Sequence, residues 1–516
     1  MNISRKQSWN IVLSMCLWLF SAALTAANYP LEIIQPQEGL STTSRYYKAY
    51  PGLEYKVPVG VLGGEYPFTY QLTTAPTGMT IDESTGVILW SNPTVTGSPH
   101  SVTVRVTDYE GSTDNHSWTI TVTTSGFIFI DDSATEIEDG SIENPFSSLS
   151  DVYRGTDYTS RSDRTYAGQF LYFRGGTYDP EGYTNNCPGQ QCQVQWPGTD
   201  KPIVWLEYPG ETAIIDHDRA ADGAYFDMSS VGNASNLFIH GIKFQDMLNH
   251  AVRLIGDRAT FFECEFSNLG PGIDGENSSF IMYASTGGPG GSDYGLIKDN
   301  SFYTLDTGAF IKTYSNYKLV IDSNTFRNGF GDIEGIALKA YDSNIDVRGN
   351  LIDGVRRNAI NGNWASSGNV EIRFNRVLNA NINYSTDIYG ALTVNYHDTA
   401  TAPYYIYRNT FEGTVTVRFA TSDDGPFYIY GNVIVNDNSG TPSGSHITHY
   451  EVQDPSRVII GTDPGNLVGR PEDNIIDELG NLTESYLSQL SVYGDAVSVT
   501  TALPLTSPTN LQEVVQ

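Results

Sequence analysis

The chain has 516 residues, with 29 Lys+Arg against 59 Asp+Glu, a formal charge of −30 and a pI near 4.4. That acidity argues against nucleic acid or an anionic membrane surface as partner, and a hydrophobic content of 39% with 12% aromatics excludes a disordered chain. Only 17% of residues are charged, whereas Gly (50) and Tyr (33) abound, which speaks for turns and strands rather than a helical bundle.

The N-terminus carries Arg5 and Lys6, then the apolar run Ile11–Leu24 and the small residues Thr25-Ala26-Ala27. This is the grammar of a secretory signal peptide over residues 1–27. No later stretch reaches the length of an apolar membrane span. A secreted or periplasmic monomer, free of the membrane after cleavage, is expected. Cys187 and Cys192 enclose a short loop that a disulfide could pin in an oxidising compartment.

Residues 28–124 read as short alternating strands between turns, among them Tyr66-Pro-Phe-Thr-Tyr-Gln-Leu, Gly86-Val-Ile-Leu-Trp and Ser101-Val-Thr-Val-Arg-Val-Thr-Asp. About a hundred residues of this kind predict a β-sandwich. The segments Gly63-Gly64, Ala75-Pro-Thr-Gly-Met-Thr-Ile-Asp and Ser84-Thr-Gly-Val-Ile resemble the bacterial putative-Ig family, a cadherin-like module. The resemblance implies a spacer or a weak sugar-binding domain.

Beyond Thr124 the pattern becomes repetitive. An apolar column runs through Phe244, Phe266, Phe302, Phe326, Ile352, Val377, Phe411 and Ile434, with gaps of 22, 36, 24, 26, 25, 34 and 23 residues. Two positions earlier stand Ile242, Cys264, Asn300, Asn324, Asn350, Asn375, Asn409 and Asn432. A period near 24 predicts a parallel β-helix, one coil per repeat, over residues 125–480. The Asn column reads as a ladder of turn amides, and Cys264 within it as a buried turn residue. Phe127-Ile-Phe-Ile-Asp-Asp and Asn144-Pro-Phe-Ser-Ser-Leu resemble the entry of secreted right-handed β-helix proteins, where the second stretch starts a capping helix. The predicted fold class is therefore all-β, a sandwich followed by a right-handed parallel β-helix, with residues 481–516 as a tail.

A further column collects Lys312, Lys339, Asn363, Asn395 and Arg418, with the aromatics Tyr314, Tyr341, Trp364 and Tyr396 one or two positions on. Residues 298–357 hold eight Lys/Arg and eight Asp/Glu, a neutral window in an acidic chain. Both facts predict a solvent-facing groove for an acidic polysaccharide, with the aromatics stacking on sugar rings. Two over-long coils, carrying extra residues 271–291 and 381–387, are expected to wall this face. His397 beside Asp398 is a candidate proton carrier in it.

Asp332, Glu334 and Lys339 place two carboxylates just before a strand-borne amine, and Asp306 is expected one coil below Glu334. Carboxylates so close call for a cation, and oxygen ligands suit Ca²⁺. Lys339 would act as general base on a uronic acid, Arg356, Arg357 or Arg418 would stabilise the developing charge, and Tyr341 or Tyr396 would protonate the leaving oxygen. The spacing of Asp332, Glu334 and Lys339 resembles the Ca²⁺-dependent β-helix lyases that cleave alginate or dermatan sulfate. That resemblance implies β-elimination, Ca²⁺ at Asp332 and Glu334, and Lys339 as base. It departs from the family at Asp332, where Glu is usual, and at Ala359-Ile-Asn-Gly-Asn-Trp, which replaces an Arg-His-Gly motif. A glycoside hydrolase on the same fold and a non-catalytic glycan-binding adhesin are the alternatives. Asp423-Asp424 is present for a polygalacturonase-like hydrolase, but Gly-His-Gly and Arg-x-Lys are not.

Overall fold

A computed structural model describes residues 29–37, 44–135, 138–152, 168–178, 203–216, 226–227, 236–248, 250–270, 278–283, 291–362, 367–380, 390–394, 401–418, 420–435, 447–461 and 467–469. The leader, Cys187, Cys192 and the tail lie outside these residues.

The first unit is a sandwich of short antiparallel strands. One sheet pairs Thr69–Thr74, His100–Thr107 and Thr113–Val122, with Lys48–Ala49 added in parallel. The other pairs Tyr55–Pro58, Val87–Trp90 and Met79–Ile81. Alternation puts Val102, Val104 and Val106 inward and Ser101 and Arg105 outward, as the period of two requires. Tyr55, Ile88, Trp90 and Ile120 fill the middle.

Parallel coils follow, and three faces can be traced. The first runs from Phe127–Ile130 through Asn316–Asp322 and Ser343–Arg348 to Val458–Ile460. The second runs from Gly176–Tyr178 to Leu467–Gly469, and the third from Phe226–Asp227 to Ile447–Tyr450. The strands Ser301–Tyr314 and Thr325–Ala340 turn the corner and serve both the second and third faces.

Both predicted columns are present. Phe244, Phe266, Phe302 and Phe326 stack with centroids 4.8–5.1 Å apart and planes within 7°, and Ile352, Val377, Phe411 and Ile434 continue the column fully buried. From Cys264 to Asn409, each backbone N–H in the Asn column donates to the side-chain oxygen one coil on, at 2.8–3.1 Å. Each turn is made by a left-handed residue just before the ladder: Glu263, Asp299, Ser323, Gly349, Phe374, Arg408 and Gly431 all have φ between 51° and 64°. Cys264 is buried as expected, its thiol pushed up to about 12 by burial and donating to the carbonyls of Ile239 and Phe262. At the entry, the short helix Leu149–Val152 brings Val152 onto the coil core beside Phe146.

The sandwich is no spacer. It lies on the outer side of the first face, where Phe127, Phe129, Phe170, Tyr172, Val204, Leu206 and Phe238 belong to its own hydrophobic cluster. Tyr50 meets Phe127 and Phe129 edge-on at 5.4 and 5.2 Å, and Tyr66 meets Phe374 at 4.8 Å. Ion pairs Lys56–Glu263 (2.5 Å), Lys318–Glu32 (2.7 Å) and Arg408–Glu65 (2.7 Å) join the two units along their length. Arg348 donates to the Val61 carbonyl, and Arg373 to those of Gly63 and Gly64.

Candidate functional site

On the third face Ile311, Ile336, Ile360, Leu392 and Val415 stack inward, as do Leu338, Val394 and Val417. Between these rows an outward column contains Met282, Lys312, Ala337, Asn361, Thr393 and Thr416. Lys312 is therefore opposite Ala337, not Lys339. The pairing slips twice between the two long strands, and the second slip, between Thr313↔Leu338 and Tyr314↔Ala340, leaves Lys339 as an extra, bulged residue. Bulges of this kind re-aim side chains. The column is also not open to solvent as expected: Lys312 is 2% exposed and Asn361 and Thr393 are fully buried.

The bulge brings Lys339 Nζ to 2.5 Å from the Glu334 carboxylate. Asn361 Nδ2, one coil on, donates to the other Glu334 oxygen. Glu334 is 5% exposed. Burial works to raise its pKa, but Lys339, Asn361 and the charge of Lys312 outweigh burial and hold it below the ordinary value. Tyr314 is half-buried, and its phenol is pushed up by burial and by the charges of Glu334 and Asp342, so it stays protonated at neutral pH. Asn361 Oδ1, by contrast, is buried without a hydrogen-bond partner among the described residues. Two ammonium groups thus gather on one carboxylate, with a phenol and an unsatisfied amide oxygen beside them. Ala337, the smallest side chain of the outward column, stands between Lys312 and Asn361, which are two coil spacings, about 9–10 Å, apart.

Other expected members fall elsewhere. Asp306 is exposed, and the residue opposite Glu334 is Ala309, so Asp306 does not sit one coil beneath Glu334. Arg356 and Arg357 are half-buried on the corner before Ile360–Gly362, and the groups acting on Glu334 are the two lysines and Asn361 instead. Tyr341 is 38% exposed on a left-handed turn (φ 58°), and Tyr314 takes the place expected of it beside Glu334. Arg418 closes the third face with its guanidinium 5.0 Å from the ring centre of Tyr450. Asn363, Trp364, Asn395, Tyr396, His397 and the side chain of Asp332 lie outside the described residues.

Ca²⁺ requires converging oxygen ligands. Among the described residues no three His, Cys, Asp or Glu side chains converge in that way. The carboxylate of Glu334 already meets one ammonium group and the field of a second. The described donors do not fit a divalent cation, because two lysines there favour an anion instead. Sequence reasoning passed over Asn361, which stands two residues before the Asn363 it selected. Its signal was available: it lies 25 residues after Ile336 along the same inward-outward alternation.

The family described as "Putative Ig domain" matches residues 38–123, and that described as "Right handed beta helix region" matches residues 230–434. No curated protein matches the chain. Among solved structures, an alpha-galactosidase/melibiase, itself titled putative, from Bacteroides fragilis NCTC 9343 shares 14% identity at a TM-score of 0.15. That match spans 36% of either chain. The chain is an all-β protein in which an Ig-like domain precedes, and packs along, a right-handed parallel β-helix.

Proposed function

We propose that this protein is a polysaccharide lyase that cleaves a uronate-containing acidic polysaccharide by β-elimination on the third face. The right-handed β-helix supports a carbohydrate-active reading, and the single observation that carries the finer one is the pair Lys312 and Lys339 gathered on buried Glu334 beside Tyr314. Lys312, 2% exposed, and Lys339 set positive charge into this poorly solvated site, where its attraction for a carboxylate is worth more than at the surface. Lys312 neutralises the uronate carboxylate, which makes the C5 proton acidic. Lys339, with its proton released and its bond to Glu334 opened, takes that proton. The C4–O bond breaks as the C4=C5 double bond forms, and Tyr314 protonates the departing oxygen. Solvent then returns the proton from Lys339 to Tyr314. Glu334 and Asn361 position Lys339 between turnovers. Ca²⁺ at Asp332, as the lyase resemblance implies, has no step in this scheme. Action outside the cytoplasm, as a monomer freed of its leader, belongs to the same proposal.

The test is an ultraviolet assay against alginate, chondroitin and dermatan sulfate, ulvan and pectin, with and without chelator. Unsaturated ends absorb. New reducing ends without absorbance would replace elimination by hydrolysis, and binding without any product would leave an adhesin.

A further inference from the structure

A second cleft, of 1340 Å³, opens between the sandwich and the second face. Its walls differ in kind. The sandwich side sets the half-buried apolar residues Ile81, Val87 and Leu89 among Lys56, Thr80, Asp82 and Thr85. The coil side presents hydroxyls and guanidinium groups in register, one per coil: Ser301 beside Thr325, and Tyr303 beside Arg327. Lys56 and Glu263 close the back with their 2.5 Å contact, so the separation of the walls is set by the same clamp that docks the domains.

We infer that this cleft binds an uncharged oligosaccharide, independently of the elimination proposed for the third face. A pyranose chain has an apolar C–H face and a rim of hydroxyls that both donate and accept. The apolar strip of the sandwich wall and the polar coil wall opposite match it, and ligand sites of mixed composition favour domain interfaces. The charges exclude a polyanion. Lys56 is paired with Glu263 and Lys243 with Glu265 (3.2 Å), and Arg327 and Arg376 share the lining with Asp82, Glu207 and Asp299. At neutral pH the lining thus has no positive excess. Burial pushes Glu207 up to about 7 and Asp299 to about 6, so both carboxyls can supply hydrogen-bond donors to sugar oxygens at mildly acidic pH.

The experiment titrates the full chain with cellohexaose, mannohexaose and β-1,4-linked galactohexaose, and with a hexuronate, by calorimetry. At least one uncharged hexasaccharide should bind. Exposed Arg327→Ala should weaken it about tenfold, the loss of a charged hydrogen bond. Val87→Trp should abolish it by filling the cleft, with Thr85→Trp as the substitute if Val87→Trp lowers the melting temperature. Lys339→Ala should leave the binding unchanged, and Arg327→Ala should leave any eliminase activity unchanged. The inference fails if no uncharged hexasaccharide binds, if binding survives both cleft substitutions, if it disappears in Lys339→Ala, or if the hexuronate competes for it. Because the two sites are read by different ligands, loss of the elimination reading would not touch this result.

Discussion

The first and third faces of the coil both bury charge on outward columns, yet they balance it differently. Beneath the sandwich, Asp322 is held by Lys298 and Arg348, and Asp346 by Arg348 and Arg373, at 2.5–3.3 Å. Arg348 also donates through Nη1 to the sandwich carbonyl of Val61, and Arg373 through Nη1 and Nη2 to those of Gly64 and Gly63. On the third face Lys339 meets Glu334 at 2.5 Å, the charge of Lys312 acts on the same carboxylate, and among the described residues the amide oxygen of Asn361 has no partner. Buried charge alone therefore does not mark a site. The first network fastens two domains, whereas the third-face cluster is the one proposed above to meet substrate.

The largest effect that would break this contrast is removal of the sandwich. Deleting residues 1–124 strips the cover from Phe127, Phe129, Phe170, Tyr172, Val204, Leu206 and Phe238. Each buried side chain is worth roughly 1.5–3 kcal/mol, so the total is on the order of the whole stability of a domain. The isolated coil should be insoluble on expression. A soluble coil that unfolds in one cooperative step would show that the sandwich is dispensable after all.

Single substitutions on the two faces should then separate stability from activity. Arg373→Met leaves Asp346 and Glu371 with less compensation and should cost about 3–5 kcal/mol in denaturant unfolding, as breaking a buried pair does. The surviving folded fraction should keep its specific activity. Lys339→Ala should behave inversely, losing about 10²–10⁴-fold in turnover, the usual reach of a general base, with little change in the unfolding midpoint. An Lys339→Ala protein of wild-type activity would remove the assigned base.

Acid should loosen the first face before it affects the coil core. Burial works to raise Asp322, but Arg348 and Lys298 pull it down to about 2. Glu263 on the domain clamp is likewise held at about 2, where His240 and Lys56 overcome the cost of its burial. Carboxyls with depressed pKa values contribute fully above their ordinary range near 4 and lose that contribution as pH falls toward 2. Melting temperature should therefore drop across that window, and less steeply in Asp322→Asn, which has no such charge to lose. Parallel slopes for the two proteins would discount the network.

Much of the architecture could be read from the chain because it repeats. Stacking Phe302 on Phe326 and Asn324 on Asn350 demands the same residue type once per coil, and that demand is visible as a period. The site is harder to read, because it is made where the repeat is broken. Counting from one coil to the next aligned Lys312 with Lys339, whereas the added residue at the bulge aligns Lys312 with Ala337 and frees Lys339 to reach Glu334. The neutral window at 298–357 misled for a different reason. Lys298, Lys318, Arg348, Asp322 and Asp346 in it serve the domain junction, and the pattern of charges along a chain does not tell which neighbour will cover them.

The smallest expected effect is also the one that most sharpens the contrast. Lys312→Ala removes the second positive charge acting on Glu334, while the 2.5 Å contact of Lys339 with Glu334 remains. Substrate attraction should suffer more than the chemical step. KM for the acidic polysaccharide should rise about tenfold, equivalent to ~1.4 kcal/mol, with a smaller change in kcat. The salt dependence of kcat/KM should flatten, since one fewer charge is available to be screened. A fall confined to kcat would instead give Lys312 a part in the proton transfer. An unchanged KM with lowered stability would place it, like Arg348 and Arg373, among the charges that hold the fold.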